Sequence, residues 1–380
     1  MSAEVPFIDL AAQHRELRPA LLKVVSDALE SGQFAGGREV ERFEAEFAAF
    51  GGYRHVVAVA NGTDALRIAL QAMGIGAGAR VVTVPNTFIA TTEAITHAGA
   101  TFEFVDIDPA TCLMDPGRLE EHLAAAFERR PKAERPRCVV PVHLYGQVAD
   151  MDAIRALAQR YELKVLEDAA QAHGAAHKGI SAGSLGDAAA FSFYPAKNLG
   201  ACGEAGAITT SDGMLAECAR MLRDHGQAEK YQHRLEGANS RMDAIQAGFL
   251  RVKLGRLAEW NAARSRIAAR YDAAFSSMRG IERAVVLPHN VSSHHLYVIH
   301  VDRRDALREF LLRRGIQTGM HYPVPLHLQE CYRPLGIAVG RFACAERSAG
   351  RLVSLPLYPE MAHAQVEAVI RGVAEFAAAC

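Results

Sequence analysis

No part of the 380-residue chain runs apolar for the ~20 residues that a bilayer-crossing helix needs. Its start, MSAEVPFIDL, has no basic patch followed by an apolar stretch. Neither a membrane span nor a secretory leader is expected, and the cytoplasm is the expected location. An excess of charge is also missing: 42 Lys and Arg, scattered along the chain, stand against 43 Asp and Glu. Nothing in that balance would draw nucleic acid or a membrane surface nonspecifically. The seven cysteines, Cys112, Cys138, Cys202, Cys218, Cys331, Cys344 and Cys380, include no CxxC pair and are odd in number. That argues against a disulfide framework or a zinc site, and for reduced thiols placed mostly in the core. His173 and His177 are spaced like a helical ligand pair, but the glutamate of HExxH is absent and Gly174 intervenes, so no metal is expected. Gly200, Gly203 and Gly206 lack the GxGxxG spacing, and Gly74, Gly76 and Gly78 lead into a strand rather than opening a helix, so a nicotinamide cofactor is not expected either.

What is present is the balance of a globular protein, 50% hydrophobic and 22% charged. The length exceeds the roughly 250–300 residues at which single cores stop growing, which implies two domains. Short β-branched runs recur at His55–Val59, Arg80–Val84, Thr101–Val105, Cys138–Val142, Lys164–Leu166, Ala188–Phe193 and Ala207–Thr210. Most are too apolar on both faces for half-exposed strands. Helical patterns such as Asp64–Met73 and Met151–Tyr161 lie between them. This alternation predicts α/β architecture, a largely parallel sheet with helices on both faces. From about Arg241 to Met278 the pattern is continuously helical, as in a segment bridging domains, and the remainder of the chain reads as smaller α+β structure. The expected division is a large domain over 1–250 and a small one over 251–380, with an N-terminal helical segment able to pack on the small domain.

Three polar motifs fall at strand ends. Asn61-Gly62-Thr63-Asp64 follows a buried-strand pattern and opens a helix. A glycine that permits close approach, a hydroxyl and free helix N–H groups can hold a phosphate, although Thr and Asp also serve as plain caps. Leu166-Glu167-Asp168-Ala169-Ala170-Gln171 ends a strand on two acids. Ligands of open parallel sheets bind beyond the carboxyl ends of strands, where Asp168 could face a ring nitrogen and Gln171 a phenolic oxygen. A capping Asp168 beside an ion-paired Glu167 is the plainer alternative. Phe191-Ser192-Phe193-Tyr194-Pro195-Ala196-Lys197-Asn198 puts a lysine on an aromatic-walled turn, where desolvation would free its amine for imine formation. An isolated lysine, by contrast, is usually a solvated surface charge.

Together with VPNTFIAT, VPVHLYGQVADMD, RDHGQ, GANSRMDAIQAGFL and HYPVPLHLQ, these motifs resemble, in order and almost end to end, the DegT/DnrJ/EryC1/StrS family of pyridoxal-phosphate-dependent sugar aminotransferases, which have the fold-type I architecture. The resemblance implies a mostly parallel seven-stranded sheet and a pyridoxal 5′-phosphate cofactor, cycling through pyridoxamine phosphate. It implies a Schiff base on Lys197, Asp168 on the pyridine nitrogen and Gln171 on the ring hydroxyl. Gly62, Thr63, the backbone of Asp64 and Ser192 would hold the phosphate. Phe88 would stack on the ring, where a core phenylalanine is the plain alternative. His321 and Tyr322 would lie near substrate. Asn239 would reach the phosphate of a neighbouring subunit, making a homodimer with shared sites; a helix cap is its plain role. The implied reaction is ping-pong transfer from L-glutamate to a nucleotide-linked ketosugar, with C-3 of a dTDP- or UDP-linked sugar favoured over C-4 or cyclitol amination. Sugar dehydratases of the family carry His in place of the lysine, which disfavours that chemistry here. A non-catalytic nucleotide-sugar-binding regulator is the reading from another class, and it would need none of Lys197, Asp168 and Gln171.

Overall fold

The computed structural model describes residues 4–379. The seven β-branched runs form one seven-stranded sheet, in the order His55–Val59, Gly206–Thr210, Ala188–Ser192, Lys164–Asp168, Pro136–Val139, Arg80–Thr83, Thr101–Phe104. All neighbouring pairs are parallel except the two made by Gly206–Thr210, which runs against both of its neighbours. Alternate residues of one strand enter different cores. Val56 and Ala58 pack on one face with Phe43 and Phe47, while Val57 and Val59 pack on the other with Leu66 and Leu70. Burial on both faces is why these strands read as continuous apolar runs.

The helix Ala244–Phe275 is 32 residues long. Its first half contributes Leu250, Leu254 and Leu257 to the core beside the sheet. Its second half contributes Ile267, Ala268, Tyr271 and Phe275 to a separate apolar cluster. That cluster is built on the three-stranded antiparallel sheet of Glu282–Arg283, Tyr297–His300 and Leu352–Leu355 and on the helices Arg304–Leu312 and His363–Ala378. Position 250 therefore lies within one continuous helix. Val5 belongs to this cluster, and the N-terminal helix Leu10–Ser31 lays Leu17 and Leu21 against Phe249 and Trp260 of the long helix. Among the described residues no helix is long and apolar enough to cross a membrane.

Four of the six described cysteines lie in or against the core, as expected. Cys112 and Cys138 are buried, Cys218 and Cys344 are partly covered, and Cys202, in the turn after Lys197, and Cys331, in the short 3-10 helix Glu330–Leu335, are exposed. Cys380 lies outside the described residues.

Candidate active site

Strand ends converge on one cavity of about 800 Å³. Gly62, Thr63, Asp64, Phe88, Asp168, Gln171, Ser192, Lys197, His321 and Tyr322 all line it. Asn239 does not: it is exposed, on an isolated bridge to Asp224. Its neighbour Ser240 donates its hydroxyl to the Asp64 carboxylate at 2.8 Å, so the segment abuts the cavity wall without the Asn239 side chain entering it.

At the start of the helix Gly62–Ala72, Asn61 is the cap: its Oδ1 accepts the Asp64 N–H at 2.8 Å. The Asp64 N–H, expected at a phosphate, is bonded to the Asn61 side chain in this structure. The Asp64 carboxylate is engaged as well, by Arg67 at 2.6 Å. Left open in this turn are the N–H groups of Gly62 and Thr63 and the Thr63 hydroxyl, with Ser192 alongside. Gly62 is glycine for a reason the sequence did not reveal. A Cβ there would lie 2.5 Å from Ser192 Cβ, so the requirement comes from the neighbouring strand end.

Asp168 ends its strand buried, 5% exposed, and does not cap a helix. Its carboxylate accepts the Thr91 hydroxyl at 2.7 Å and the Ala170 N–H at 3.2 Å. Burial raises its pKa, and these two bonds together with the charge of Lys197 oppose the rise. Glu167 faces away into the protein, where it accepts the N–H groups of Gly183, Leu185 and Gly186 at 2.9, 2.7 and 2.7 Å and meets His143 Nε2 at 2.9 Å. Gln171 accepts the Tyr145 N–H at 2.7 Å and donates to the Tyr322 hydroxyl at 3.3 Å, which leaves one amide hydrogen unassigned.

Lys197 is half-buried in the turn after Ala188–Ser192, its N–H bonded to the Tyr194 carbonyl at 2.8 Å. Burial lowers its ammonium pKa to about 8, with the charge of Asp168 acting the other way. Phe88 is 54% exposed, so it is not a core residue; its ring lies 5.5 Å from that of Tyr322 at the cavity edge. His321 Nδ1 meets the Ser354 hydroxyl at 2.8 Å, and burial brings its pKa down to about 4, so the ring is neutral near pH 7. Burial pushes the Tyr322 phenol well up, which keeps it protonated.

Thr91 and His295 also line the cavity, and neither is singled out by sequence reasoning. Thr91 is visible in VPNTFIAT only as one of several hydroxyls. His295 lies just before the strand Tyr297–His300, about a hundred positions after Lys197, and bonds through Nδ1 to Asn198 Oδ1 at 3.0 Å; no local pattern announces it.

A phosphopyridine aldehyde fits this donor set. Among the described residues the Gly62–Thr63 turn and Ser192 offer unpartnered donors to an anion, Asp168 offers a carboxylate to a ring nitrogen, and Lys197, its pKa brought down to about 8, offers an amine to the aldehyde. The fold and this site define a cofactor-dependent enzyme whose cavity lies at the carboxyl edge of a mostly parallel sheet. The chain belongs to the DegT/DnrJ/EryC1/StrS aminotransferase family, whose model matches residues 16–374. It is 43% identical over 373 residues to the dTDP-3-amino-3,4,6-trideoxy-α-D-glucose transaminase of Streptomyces venezuelae, covering 98% of this chain and 96% of that one. It is likewise 43% identical over 376 residues to the pleiotropic regulatory protein of Geobacillus stearothermophilus, covering 98% of each. The crystal structure of DesV from S. venezuelae in complex with a ketimine intermediate superposes with a TM-score of 0.95 at 43% identity, over 99% of both chains.

Proposed function

We propose that this aminotransferase moves an amino group from an amino acid, L-glutamate, to the keto group of a nucleotide-linked sugar, at C-3 of a dTDP- or UDP-linked 3-keto-hexose. The observation that carries the reading is the meeting of Lys197, its pKa lowered by burial to about 8, with the buried carboxylate of Asp168 in one cavity. Likeness over nearly the whole length to a transaminase whose product bears its amine at C-3 supports the regiochemistry.

Pyridoxal 5′-phosphate, when bound, supplies an electron sink for the charge that develops at the carbon losing a proton. Asp168 keeps the ring nitrogen protonated, which is what gives the sink its depth. The N–H groups of Gly62 and Thr63 and the hydroxyls of Thr63 and Ser192 would hold the phosphate, and the remaining amide hydrogen of Gln171 would be available to the phenolic oxygen. Phe88 would pack against the ring. Lys197 Nζ would hold the cofactor between turnovers, and its freed amine would take the proton from the donor's α-carbon as a general base, becoming an ammonium that hands that proton on to the cofactor side. In the second half-reaction the amine would take a proton back from that side, and the resulting ammonium would deliver it to the sugar carbon. His321 and Tyr322 border the space where either substrate enters, the protonated phenol as a donor.

The exposed Asn239 beside the Thr63–Asp64 turn supports a homodimer in which it serves the neighbouring site. A regulatory role, suggested by the name of one relative, would leave the Lys197–Asp168 arrangement without a task. Holoenzyme given ¹⁵N-labelled L-glutamate and, separately, 3-keto and 4-keto nucleotide sugars tests the reading. Label at C-3 of the 3-keto sugar is expected. Label only at C-4 overturns the regiochemistry, and label in neither sugar overturns the transfer.

A further inference from the structure

The turn that carries Lys197 is held from behind by one face of the long helix. Gln246, Lys253 and Asn261 stand seven and eight residues apart on Ala244–Phe275, close to two helical turns each, and so share a side. Gln246 exchanges two bonds with the Cys202 backbone, accepting its N–H at 2.9 Å and donating to its carbonyl at 3.3 Å. Asn261 accepts from the Asn198 side chain at 2.9 Å. Between them Lys253 donates to the Gly200 carbonyl at 2.7 Å, and its Nζ lies 2.8 Å from His14 Nε2 on the N-terminal helix. Gly200 is itself wedged in place: a Cβ there would lie 2.2 Å from the Pro195 carbonyl oxygen. Directly after it, the Ala201 N–H closes the turn on the Phe193 carbonyl at 2.7 Å.

The middle contact differs in kind from the other two. Gln246 and Asn261 are neutral amides, but Lys253 brings an amine that is 0% exposed; burial lowers its pKa, the Cys202 thiol beside it acts the other way, and among the described residues no carboxylate pairs with it. Burial of an ammonium against neutral acceptors is costly, and a carbonyl could be satisfied by an uncharged donor at less cost. A charge-assisted bond is also stronger than a neutral one and holds its acceptor more firmly. Lys197 has to let go of the cofactor and take it back in each half-reaction, so the turn beneath it must keep its shape in both conditions.

We propose that Lys253 is a positioning residue for Lys197, acting through the Gly200 carbonyl, an inference that rests on the role given to Lys197 above. Its charge keeps the 193–202 segment in register while the Lys197 side chain moves.

The test compares Lys253→Met, Lys253→Gln and Lys253→Arg with the wild type. Borohydride reduction of wild-type holoenzyme and peptide mass mapping come first; cofactor found elsewhere than on Lys197 would sink the underlying reading, whatever Lys253 does. With Lys197 confirmed, Lys253→Met is expected to lower kcat on the order of 10- to 100-fold, with KM for L-glutamate within about threefold. In the apoprotein of the same variant, the Ala201 and Lys197 amides should exchange hydrogen on the order of ten times faster or more, while amides of the central sheet keep their wild-type rates. Lys253→Arg is expected to recover much of kcat, and Lys253→Gln little of it. Wild-type kcat and wild-type amide protection in Lys253→Met, or full recovery by Lys253→Gln, would overturn the proposal. Should Lys253→Met fail to fold, the Arg and Gln pair decides on the same readouts.

Discussion

Raising the pH through about 8 should switch on the amine that stands at the centre of the proposed chemistry. An ordinary lysine titrates at 10.5, and burial brings Lys197 to about 8. At pH 7 roughly one Lys197 in ten is then a free amine, against about one in 3,000 for an exposed lysine, a gain of about 300-fold in reactive form. The assay is the rate at which apoprotein captures pyridoxal phosphate, followed by absorbance from about pH 6 to about 10 and divided by the rate for a lysine peptide, which removes the cofactor's own titration. The ratio should be high near neutrality and fall toward unity above pH 10, where the peptide too becomes a free amine. The sign of the stability effect is set by the same shift. Between about pH 8 and 10.5 the unfolded chain binds more protons at this position than the folded one, so the apoprotein gains stability as pH rises through that window, and Lys197→Met removes that gain. Asp168 is the charge that holds the Lys197 pKa up, so Asp168→Asn should move the capture midpoint below 8. A wild-type midpoint near 10, indistinguishable from the peptide, would refute the reasoning.

Thr91→Val removes the hydroxyl bonded to Asp168 at 2.7 Å, which helps keep that carboxylate ionised. The acid limb of kcat/KM for the glutamate half-reaction should move to higher pH, with a loss on the order of 10- to 100-fold near neutrality. Gly62→Ala puts a methyl 2.5 Å from Ser192 Cβ and should destabilise the protein by about 1–3 kcal/mol in thermal unfolding, with partial recovery on adding Ser192→Gly. Phe88→Ala, at a ring 54% exposed, should leave stability within ~0.5 kcal/mol while weakening cofactor affinity roughly 2- to 10-fold by equilibrium titration. Subunits of Lys197→Ala and Asn239→Ala, assayed apart and after exchange, test the shared site. The mixture should reach up to roughly a quarter of wild-type activity, because half of the dimers then hold one intact site; no gain on mixing would place Asn239 outside the neighbour's cavity.

The parts legible in the sequence are those that lie close together along the chain. The strands showed themselves because both faces of the sheet are covered, so Val56 through Val59 are all apolar although alternate members enter different cores. Each site motif is a strand end followed by a turn, and Lys197, Asp168 and Thr63 stood out only together and through the family resemblance, each alone having a plainer reading as a cap or a surface charge. What stayed hidden depends on approach from elsewhere in the fold. An apolar run has no arrow, so the reversed direction of Gly206–Thr210 within the sheet was invisible. The Asp64 N–H looked free because a cap by Asn61 and an open anion site share one sequence signature. His295 and the polar face of Ala244–Phe275 reach the Lys197 turn only through the folded chain, and nothing local marks Lys253 as a buried charge.

The central claim is that Lys197 holds the cofactor and yields it to an amino donor. Borohydride reduction of holoenzyme followed by peptide mass mapping, with and without prior L-glutamate, tests it most directly. Cofactor fixed to Lys197 in the untreated protein, and lost from it after glutamate, is the predicted result. Cofactor fixed to another residue, or labelling of Lys197 that glutamate leaves unchanged, would contradict it.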